Sequence, residues 1–376
     1  MKNKEFNFTK AKLIRSGHFY LEKLILLIEE TQYQIIINIY EFENDESGEQ
    51  ILNALVRALK RKVEVYLLFD SFGSMNFSSE WIDFLRQKGA KISFFNPFFS
   101  SNTLEVGRRL HQKVFIFDQE KAFVGGINIS NDYLRRDGPA PWLDYVFYID
   151  GEIVKRIARI TTSYHHQPVA LLPSISMESS NRLAKVLIQD FWKGKFELSK
   201  EYKMQIENSQ KNIYLMNAYF FPGKTFLRQL KDAADRGVKI KMVLGGSSDI
   251  PVFRWAQNCL YQELLEHKIE IYEWKQSVLH AKIAIVDSRW CTVGSFNLDY
   301  ISQFANIEMN ITSEDQELVN EVEAEFLNIC SEISTPVDIK LWHKYNHFFM
   351  MIRDLFALFL LKLARYISLF HLNSSE

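Results

Sequence analysis

Apolar residues recur at two different spacings along this chain, and the two spacings alternate. Stretches with the three-to-four-residue period of an amphipathic helix are separated by short runs of β-branched and aromatic residues, which are typical of buried strands. In the first half, the predicted helices are HFYLEKLILLIEETQ, SGEQILNALVRALKRK and SSEWIDFLRQKGAK, and the predicted strands are YQIIINIYEF, VEVYLLFD and ISFFNPFF. We expect the second of these helices to begin at an N-cap formed by Ser47. The alternation predicts an α/β fold with helices on both faces of a sheet.

The second half of the chain repeats this order. Its predicted helices are LSKEYKMQIENSQ, GKTFLRQLKDAADRGV and VFRWAQNCLYQELLEH, and its predicted strands are KNIYLMNAYF, KIKMVLGG and KIEIYEW. A long repeat present in two copies predicts two similar lobes rather than a solenoid. We therefore expect a first lobe over residues 1–165 and a second over 166–335, related by a pseudo-two-fold axis. Each lobe is predicted to contain a mixed β-sheet flanked by helices.

Two short stretches, LHQKVFIFDQEKAFVGGIN from Leu110 and LHAKIAIVDSRWCTVGSFN from Leu279, carry the same polar residues at the same spacing. Four residues of the first stretch recur 169 positions later in the second: His111 and His280, Lys113 and Lys282, Asp118 and Asp287, Asn128 and Asn297. In a strand, residues i and i+2 point to the same face, so each His-x-Lys pair is predicted to project together. The Gly-containing turns before the asparagines would bring their amides back toward the same face.

This pattern predicts a site for a phosphoryl group where the two lobes pack. One neutral imidazole would attack phosphorus, and the other, as imidazolium, would protonate the leaving alkoxide. The lysines would offset the charge on the phosphoryl oxygens, and Asn128, Asn297 and the hydroxyl of Ser295 would bind them. The first turn has Gly126 where the second has Ser295. The scheme needs no metal and no cofactor, and no metal-ligand cluster is evident in the sequence.

Each imidazole needs a partner that selects its tautomer. Glu308 follows His280 by 28 residues on a predicted strand, and Asp144 follows His111 by 33 residues in the corresponding place. We expect these two carboxylates to hydrogen bond the imidazoles. The alternative is that they are ordinary acids at strand ends.

Both stretches resemble the signature of the phospholipase D superfamily, H-x-K-x4-D followed by a G-G or G-S turn and an Asn. Within it, the segments RRLHQKVFIFD and NAYFFPGKTFLRQLKDAADRGVKIKMVLGG are most similar to bacterial cardiolipin synthases that lack transmembrane helices. The resemblance implies the phospholipase D fold and a phosphatidyl-histidine intermediate. It implies transfer of the phosphatidyl group to phosphatidylglycerol with release of glycerol, phosphatidylethanolamine being an alternative donor. It also implies His111 as the nucleophile and His280 as the acid/base, although the residues themselves leave the two roles exchangeable.

Two further segments favour a lipid substrate. An aromatic run ending at Phe99 is followed by Arg108 and Arg109, and could receive acyl chains and phosphates; the alternative is that its side chains fill the core. Residues 336–376 form a mostly apolar segment that four charged residues interrupt: Arg353, Asp354, Lys362 and Arg365. No uncharged stretch reaches the ~20 residues of a membrane span, so we predict an amphipathic helix at the membrane interface. The alternative is a helix that packs on the protein or on another subunit.

Composition narrows the possible partners. Lys and Arg total 45 and Asp and Glu total 46, whereas dedicated nucleic-acid binders usually carry a basic excess. We therefore expect phospholipid substrates and a membrane surface as partners, and no nucleic acid. The three scattered cysteines indicate a reducing compartment. These features predict a peripheral protein at the cytoplasmic face of the bacterial inner membrane.

Three other functions remain open at this level. A hydrolytic phospholipase D would use the same residues with water as the acceptor. A phosphodiesterase nuclease would also use them, although the near-zero net charge disfavours it. A catalytically inactive lipid-binding scaffold is disfavoured because all eight repeated residues are intact.

Overall fold

The structure is a computed structural model that describes residues 4–97, 107–172, 181–333, 335–338 and 352–356. The chain divides into two compact units. Unit 1 contains Met1–Leu187 together with Val293–Ser295 and Ile307–Asp315, and unit 2 contains Ile188–Thr292, Phe296–Asn306 and Gln316–Glu376. Unit 1 thus includes a strand that follows the second repeated stretch in sequence. The predicted lobe bounds, 1–165 and 166–335, stay a prediction about the repeat.

Helices and strands alternate along the whole described chain. The first elements are β1 (Phe6–Asn7), β2 (Ala11–Arg15), α1 (His18–Glu30), β3 (Gln34–Ile39), α2 (Glu46–Lys60), β4 (Glu64–Asp70), α3 (Ser79–Gln87), β5 (Lys91–Phe95), β6 (Arg109–Leu110), β7 (Lys113–Phe117), β8 (Lys121–Gly125), α4 (Asn131–Leu134), β9 (Tyr145–Asp150) and α5 (Glu152–Thr162). The later elements are β10 (Leu183–Asp190), a 3-10 helix (Phe191–Lys193), β11 (Lys195–Phe196), α6 (Glu197–Asn208), β12 (Asn212–Asn217), α7 (Lys224–Asp235), β13 (Lys239–Gly245), α8 (Pro251–Glu266), β14 (Glu270–Trp274), β15 (Lys282–Val286), β16 (Trp290–Gly294), α9 (Tyr300–Phe304), β17 (Asn306–Ser313) and α10 (Gln316–Ile333). Each helix and strand predicted for the two halves of the repeat overlaps one of these elements.

The sheet of unit 1 is mixed and is covered on both faces. Its order is β2-β9-β8-β7-β3-β4-β5, with β3, β4 and β5 parallel and the other neighbours antiparallel. Alternate residues of β3, such as Ile35 and Ile37, face a core that includes Leu24 of α1, Ile51 of α2 and Leu85 of α3. Asn38 points the other way, and its amide donates to the carbonyl of Thr161 at the end of α5 (3.1 Å). The α/β class with flanking helices is confirmed.

The sheet of unit 2 repeats this core arrangement. Strands β15, β12, β13 and β14 lie in that order, with β12, β13 and β14 parallel and β15 antiparallel to β12. This matches β7, β3, β4 and β5 of unit 1 in order and direction. The strands are buried on both faces, which explains why they read as continuous apolar runs in the sequence.

The N-cap predicted for α2 is wrong. Asp45, not Ser47, caps this helix, because its extended backbone lets the carboxylate accept from the amide of Gly48 (2.9 Å). The Ser47 hydroxyl instead donates to the side-chain oxygen of Asn131 (2.7 Å), which joins α2 to α4. The helix begins at Glu46, so Asp45 occupies the N-cap position and Ser47 lies inside the first turn.

Most of the predicted C-terminal segment, including Trp342 and Tyr345, lies outside the described residues, as do Phe98 and Phe99. Residues 352–356 are helical, and the guanidinium of Arg353 lies 5.1 Å from the ring of Trp255 on α8. Ile352, Leu355 and Phe356 are about half exposed. Across the described ranges, no helix combines the length and apolar character required to cross a membrane. An interfacial role for this segment stays a prediction.

Candidate active site

The aspartate of each repeated stretch anchors a turn. Asp118 follows β7, and its carboxylate accepts the backbone N–H groups of Gln32, Tyr33 and Gln34 at 2.8–2.9 Å. Asp118 and Gln119 adopt left-handed φ angles of 51° and 56°, which Asp tolerates better than most residues. The carboxylate therefore joins the hairpin of β7 and β8 to the start of β3.

Asp287 repeats this arrangement after β15. Its carboxylate accepts the N–H groups of Gln210, Lys211 and Asn212 at 2.6–3.1 Å, and its φ is 55°. A catalytic role for Asp118 and Asp287 stays a prediction. Each lies at the far end of a strand from its histidine, about 20 Å away at the usual rise per residue. Their fixed spacing from the histidine matches the length of one hairpin strand.

His111 precedes β7 by two residues and is held from both its backbone and its ring. Its backbone N–H donates to the carbonyl of Ile307 on β17 (3.0 Å). Its Nδ1 lies 2.9 and 3.0 Å from the two carboxylate oxygens of Glu308, whose side chain is fully buried. A carboxylate partner makes Nδ1 the protonated nitrogen, so the lone pair of the neutral ring is on Nε2. That is the nitrogen available to attack an electrophile.

Ser295 orients this carboxylate. Its hydroxyl donates to Glu308 Oε2 (2.5 Å) and accepts from the backbone N–H of Met309 (3.1 Å). Burial alone would raise the pKa of Glu308, but His111, Lys113 and the Ser295 hydroxyl together hold it below its usual value. Glu308 is therefore ionised at neutral pH. The Ser295 hydroxyl is fully buried and donates to this carboxylate, and its predicted contact with phosphate stays a prediction.

Gly126 occupies the position of Ser295 in the first stretch. A Cβ at Gly126 would lie 2.3 Å from Oδ2 of Asp144, so this glycine makes room for a carboxylate. Asp144 is fully buried, and its Oδ1 accepts the N–H of Tyr145 (2.7 Å). The first turn therefore has glycine where the second has Ser295, because the Asp144 carboxylate lies too close to the backbone for a side chain at position 126. A bond from Asp144 to an imidazole stays a prediction.

Lys113 is almost fully buried beside His111. Its ammonium donates to the carbonyl of His111 (2.8 Å) and lies 5.0 Å from the centre of the Tyr40 ring. The same ring packs edge-on against the His111 imidazole at 5.0 Å. A buried ammonium at this point supplies concentrated positive charge beside His111.

The second stretch differs in its hydrogen bonding. The ammonium of Lys282 lies 2.7 Å from Nδ1 of His280 and also donates to the His280 carbonyl. An ammonium only donates, so Nδ1 accepts, and the proton of the neutral ring is on Nε2. The ring of Tyr219 lies 6.2 Å from that of His280, and its hydroxyl donates to Asp249. His280 and His111 thus carry their protons on opposite nitrogens.

The two asparagines are buried, and each has a side-chain oxygen with no hydrogen-bond partner in the described structure. The amide nitrogen of Asn128 donates to Glu41 (2.9 Å) and lies 3.4 Å from the hydroxyl of Tyr133. The backbone N–H of Asn297 donates to the hydroxyl of Ser302 (3.3 Å). Phosphate binding by these amides stays a prediction, and Glu41 already accepts a proton of the Asn128 amide.

Tyr40, Glu41 and Asp70 contact the repeated stretches but were not predicted. Asp70 is buried, and its carboxylate accepts the N–H of Leu110 (2.7 Å) next to His111, while burial raises its pKa above the usual value. All three follow buried parallel strands at their carboxyl ends, where functional groups collect in α/β folds. Position at the strand end was the sequence signal that could have found them.

Across the described residues, no group of three His, Cys, Asp or Glu side chains is arranged to hold a metal ion. A cavity of about 1040 Å³ lies in unit 2 beside the second asparagine turn. Its lining is mainly aromatic and aliphatic, with Tyr202, Phe226 and Phe296, and also includes Lys200, Lys203 and Lys224.

Known proteins resemble the chain in sequence and in fold. The sequence model of one protein family, described as cardiolipin synthase, PLD-like domain, matches residues 24–143 and 202–330. Cardiolipin synthase B of Escherichia coli K12 is 30% identical over 327 residues, which cover 82% of this chain and 77% of that protein. Cardiolipin synthase of Clostridium perfringens is 29% identical over 83% of this chain and 69% of that protein. The crystal structure of phosphatidylserine synthase from Haemophilus influenzae superposes with a TM-score of 0.75 at 17% identity, covering 94% of this chain and 97% of that one. This last likeness shows a shared fold.

The Asp118→Ala substitution tests the anchoring role. We expect it to lower the free energy of unfolding by about 1–3 kcal/mol, because three backbone N–H groups lose their acceptor. Turnover well below the melting temperature should stay within about threefold of wild type. Thermal melting and steady-state kinetics measure the two effects. A 100-fold loss of turnover with an unchanged melting temperature would show that Asp118 takes part in the chemistry.

The Glu308→Gln substitution tests the partner of His111. The amide keeps the size of the carboxylate but cannot stabilise positive charge on the ring, so kcat should fall by about 10²–10⁴-fold. Ser295→Ala removes one bond to the carboxylate and should lower kcat by about three- to tenfold. Circular dichroism checks that both variants fold. A Glu308→Gln enzyme with kcat within threefold of wild type contradicts the assignment.

Proposed function

The chain belongs to the cardiolipin synthase family of the phospholipase D superfamily, and we propose that it joins two molecules of phosphatidylglycerol into cardiolipin and glycerol. The observation that carries this proposal is the bond between His111 Nδ1 and the buried carboxylate of Glu308. It supports His111 as the nucleophile, because the ring nitrogen with the lone pair is the one that Glu308 does not hold.

The first step forms a bond between His111 Nε2 and phosphorus and breaks the bond from phosphorus to the glycerol oxygen. The leaving oxygen takes a proton, and glycerol departs. We assign that proton to His280 in its imidazolium form, which gives up the hydrogen on Nε2 and becomes a neutral ring. Glu308 stabilises the positive charge that develops on His111, as the carboxylate of a catalytic triad does for its histidine.

The second step reverses the first with a different alcohol. A hydroxyl of a second phosphatidylglycerol attacks phosphorus, His280 takes its proton, and the bond from His111 to phosphorus breaks. Histidine suits both directions because its pKa of about 6.5 allows either protonation state at neutral pH. Lys113 and Lys282 are nearly fully buried, so their charges act on phosphoryl oxygens with little screening by water.

Two features support a lipid over a nucleic acid as the substrate. The formal net charge is −1, so no overall basic field attracts a polyanion. The lining of the cavity in unit 2 includes seven aromatic residues, three lysines and the acids Glu263 and Asp299, and its apolar part suits acyl chains. We infer that the enzyme acts peripherally at the cytoplasmic face of the bacterial inner membrane. Phosphatidylethanolamine is the alternative phosphatidyl donor.

Product analysis with the purified enzyme and phosphatidylglycerol vesicles tests the reaction. We expect cardiolipin and glycerol in equal amounts, and a loss of at least about 10³-fold in His111→Ala and in His280→Ala. His267→Ala is the matched control, because this histidine is partly exposed at the end of α8 and bonds Asp235. It should leave the rate unchanged.

Two other outcomes would replace the proposal. Phosphatidic acid without cardiolipin would identify a hydrolytic phospholipase D with water as the acceptor. Salt-sensitive cleavage of single-stranded DNA without lipid turnover would identify a nuclease.

A further inference from the structure

The two copies of the repeat differ in a residue beside the asparagine. The N–H of Glu43 donates to the carbonyl of Ile129 (2.9 Å), and the N–H of Phe221 donates to that of Leu298 (2.9 Å). Just before these residues, the ring of Tyr40 packs against His111 and the ring of Tyr219 packs against His280. Glu41 follows the first tyrosine, whereas an apolar residue, Phe220, follows the second.

Glu41 places a carboxylate next to Asn128. Its Oε2 accepts from the Asn128 amide (2.9 Å), and the Glu41 side chain is only partly buried. Asn128 is 3% exposed, and its side-chain oxygen has no hydrogen-bond partner in the described structure. A buried acceptor without a donor is costly, and this one belongs to the residue that the Glu41 carboxylate contacts. A ligand that relieves this cost must bring hydrogen-bond donors.

The charges near Glu41 affect a phosphoryl group differently from a hydroxyl or an ammonium group. Lys113 is close enough to favour the ionised form of Glu41, whereas Glu43 and Asp132 oppose it. A phosphoryl group is attracted to the lysine and repelled by these carboxylates. A hydroxyl or an ammonium is instead favoured by Glu41. The arrangement thus distinguishes the phosphate of a substrate from the alcohol attached to it.

Protonation of Glu41 is consistent with such a contact. Burial raises the pKa of this carboxyl to about 7, with the neighbouring Glu43 adding to the effect. Near neutral pH, both the carboxylate and the acid are populated. The acid form can donate as well as accept, so it fits a hydroxyl group that does both.

Neither Tyr219 nor Phe220 can serve the same purpose in the second copy. The hydroxyl of Tyr219 donates to Asp249 at 2.7–2.8 Å, and its ring stacks on Phe253 at 4.7 Å. The side chain is therefore committed to unit 2. Among the described residues, the carboxylate beside the asparagine therefore belongs to the first copy, which also contains the nucleophile assigned above.

We propose that Glu41 and Asn128 form a subsite for the alcohol headgroup of the phospholipid, with Glu41 accepting a hydrogen bond from a headgroup hydroxyl or ammonium. This inference rests on the proposed function, since it takes a phospholipid as the substrate. It adds a residue that selects the headgroup, and neither Lys113 nor His111 provides that selection.

Kinetics of Glu41→Ala and Glu41→Gln on vesicles of phosphatidylglycerol test the subsite. For Glu41→Ala, we expect the KM for phosphatidylglycerol to rise at least tenfold while kcat changes less than threefold. Glu41→Gln keeps an acceptor oxygen, so its KM should rise less. Glu49→Gln, an exposed carboxylate on α2, is the matched control and should leave both constants unchanged. Melting temperatures confirm that the variants fold.

Vesicles that also contain phosphatidylethanolamine distinguish the two headgroups. If an ammonium is the ligand, Glu41→Gln should lower the rate with phosphatidylethanolamine at least tenfold more than the rate with phosphatidylglycerol. If a hydroxyl is the ligand, the rate with phosphatidylglycerol should fall most. Unchanged KM values for both lipids in Glu41→Ala, or a loss confined to kcat, would overturn the subsite while wild-type cardiolipin synthesis continued. Absence of cardiolipin from the wild-type enzyme would instead overturn the proposed function.

Discussion

The buried hydrogen bond between His111 and Glu308 is the interaction on which the rest of the site depends. It requires a fully buried, ionised carboxylate, and burying such a charge is costly unless several donors surround it. The imidazole and the Ser295 hydroxyl supply these donors, and Lys113 adds positive charge. Glu308 lies on β17, which follows the second repeated stretch, whereas His111 lies in the first. The histidine of the first copy is therefore oriented by a residue that follows the second copy.

The two copies of the repeat share the same strands and turns, but the side chains around their histidines differ. Both contain an aspartate that anchors the hairpin and a lysine that contacts the carbonyl of its histidine. The surrounding groups are not equivalent. A serine faces a carboxylate in one copy and a glycine admits one in the other, and Glu41 has no acidic counterpart. These differences give the neutral forms of the two histidines opposite tautomers.

The helices and strands could be predicted from the sequence because amphipathic helices and buried strands differ in the spacing of their apolar residues. It also found the eight repeated residues, since identical spacing in two copies is rare by chance. It could not assign their roles. Asp118 shares its spacing with His111 because both belong to one hairpin, and only the geometry shows that its carboxylate bonds the start of β3.

Other contacts were out of reach because they join residues far apart in the chain. The pairing of Glu308 with His111 spans 197 residues. Glu41 meets Asn128 only because a short segment after β3 lies beside the turn after β8. No period or local spacing encodes such contacts. The start of α2 shows the same limit locally, since the helix begins at Glu46 and Asp45, not Ser47, caps it.

The central claim is that His111, held by Glu308, is the residue that receives the phosphatidyl group. Rapid acid quenching during turnover of phosphatidylglycerol, followed by peptide mapping in a mass spectrometer, tests it directly. The account predicts a phosphatidyl adduct on His111 that is absent from His111→Ala. An adduct on His280, or turnover with no adduct on either histidine, would contradict it.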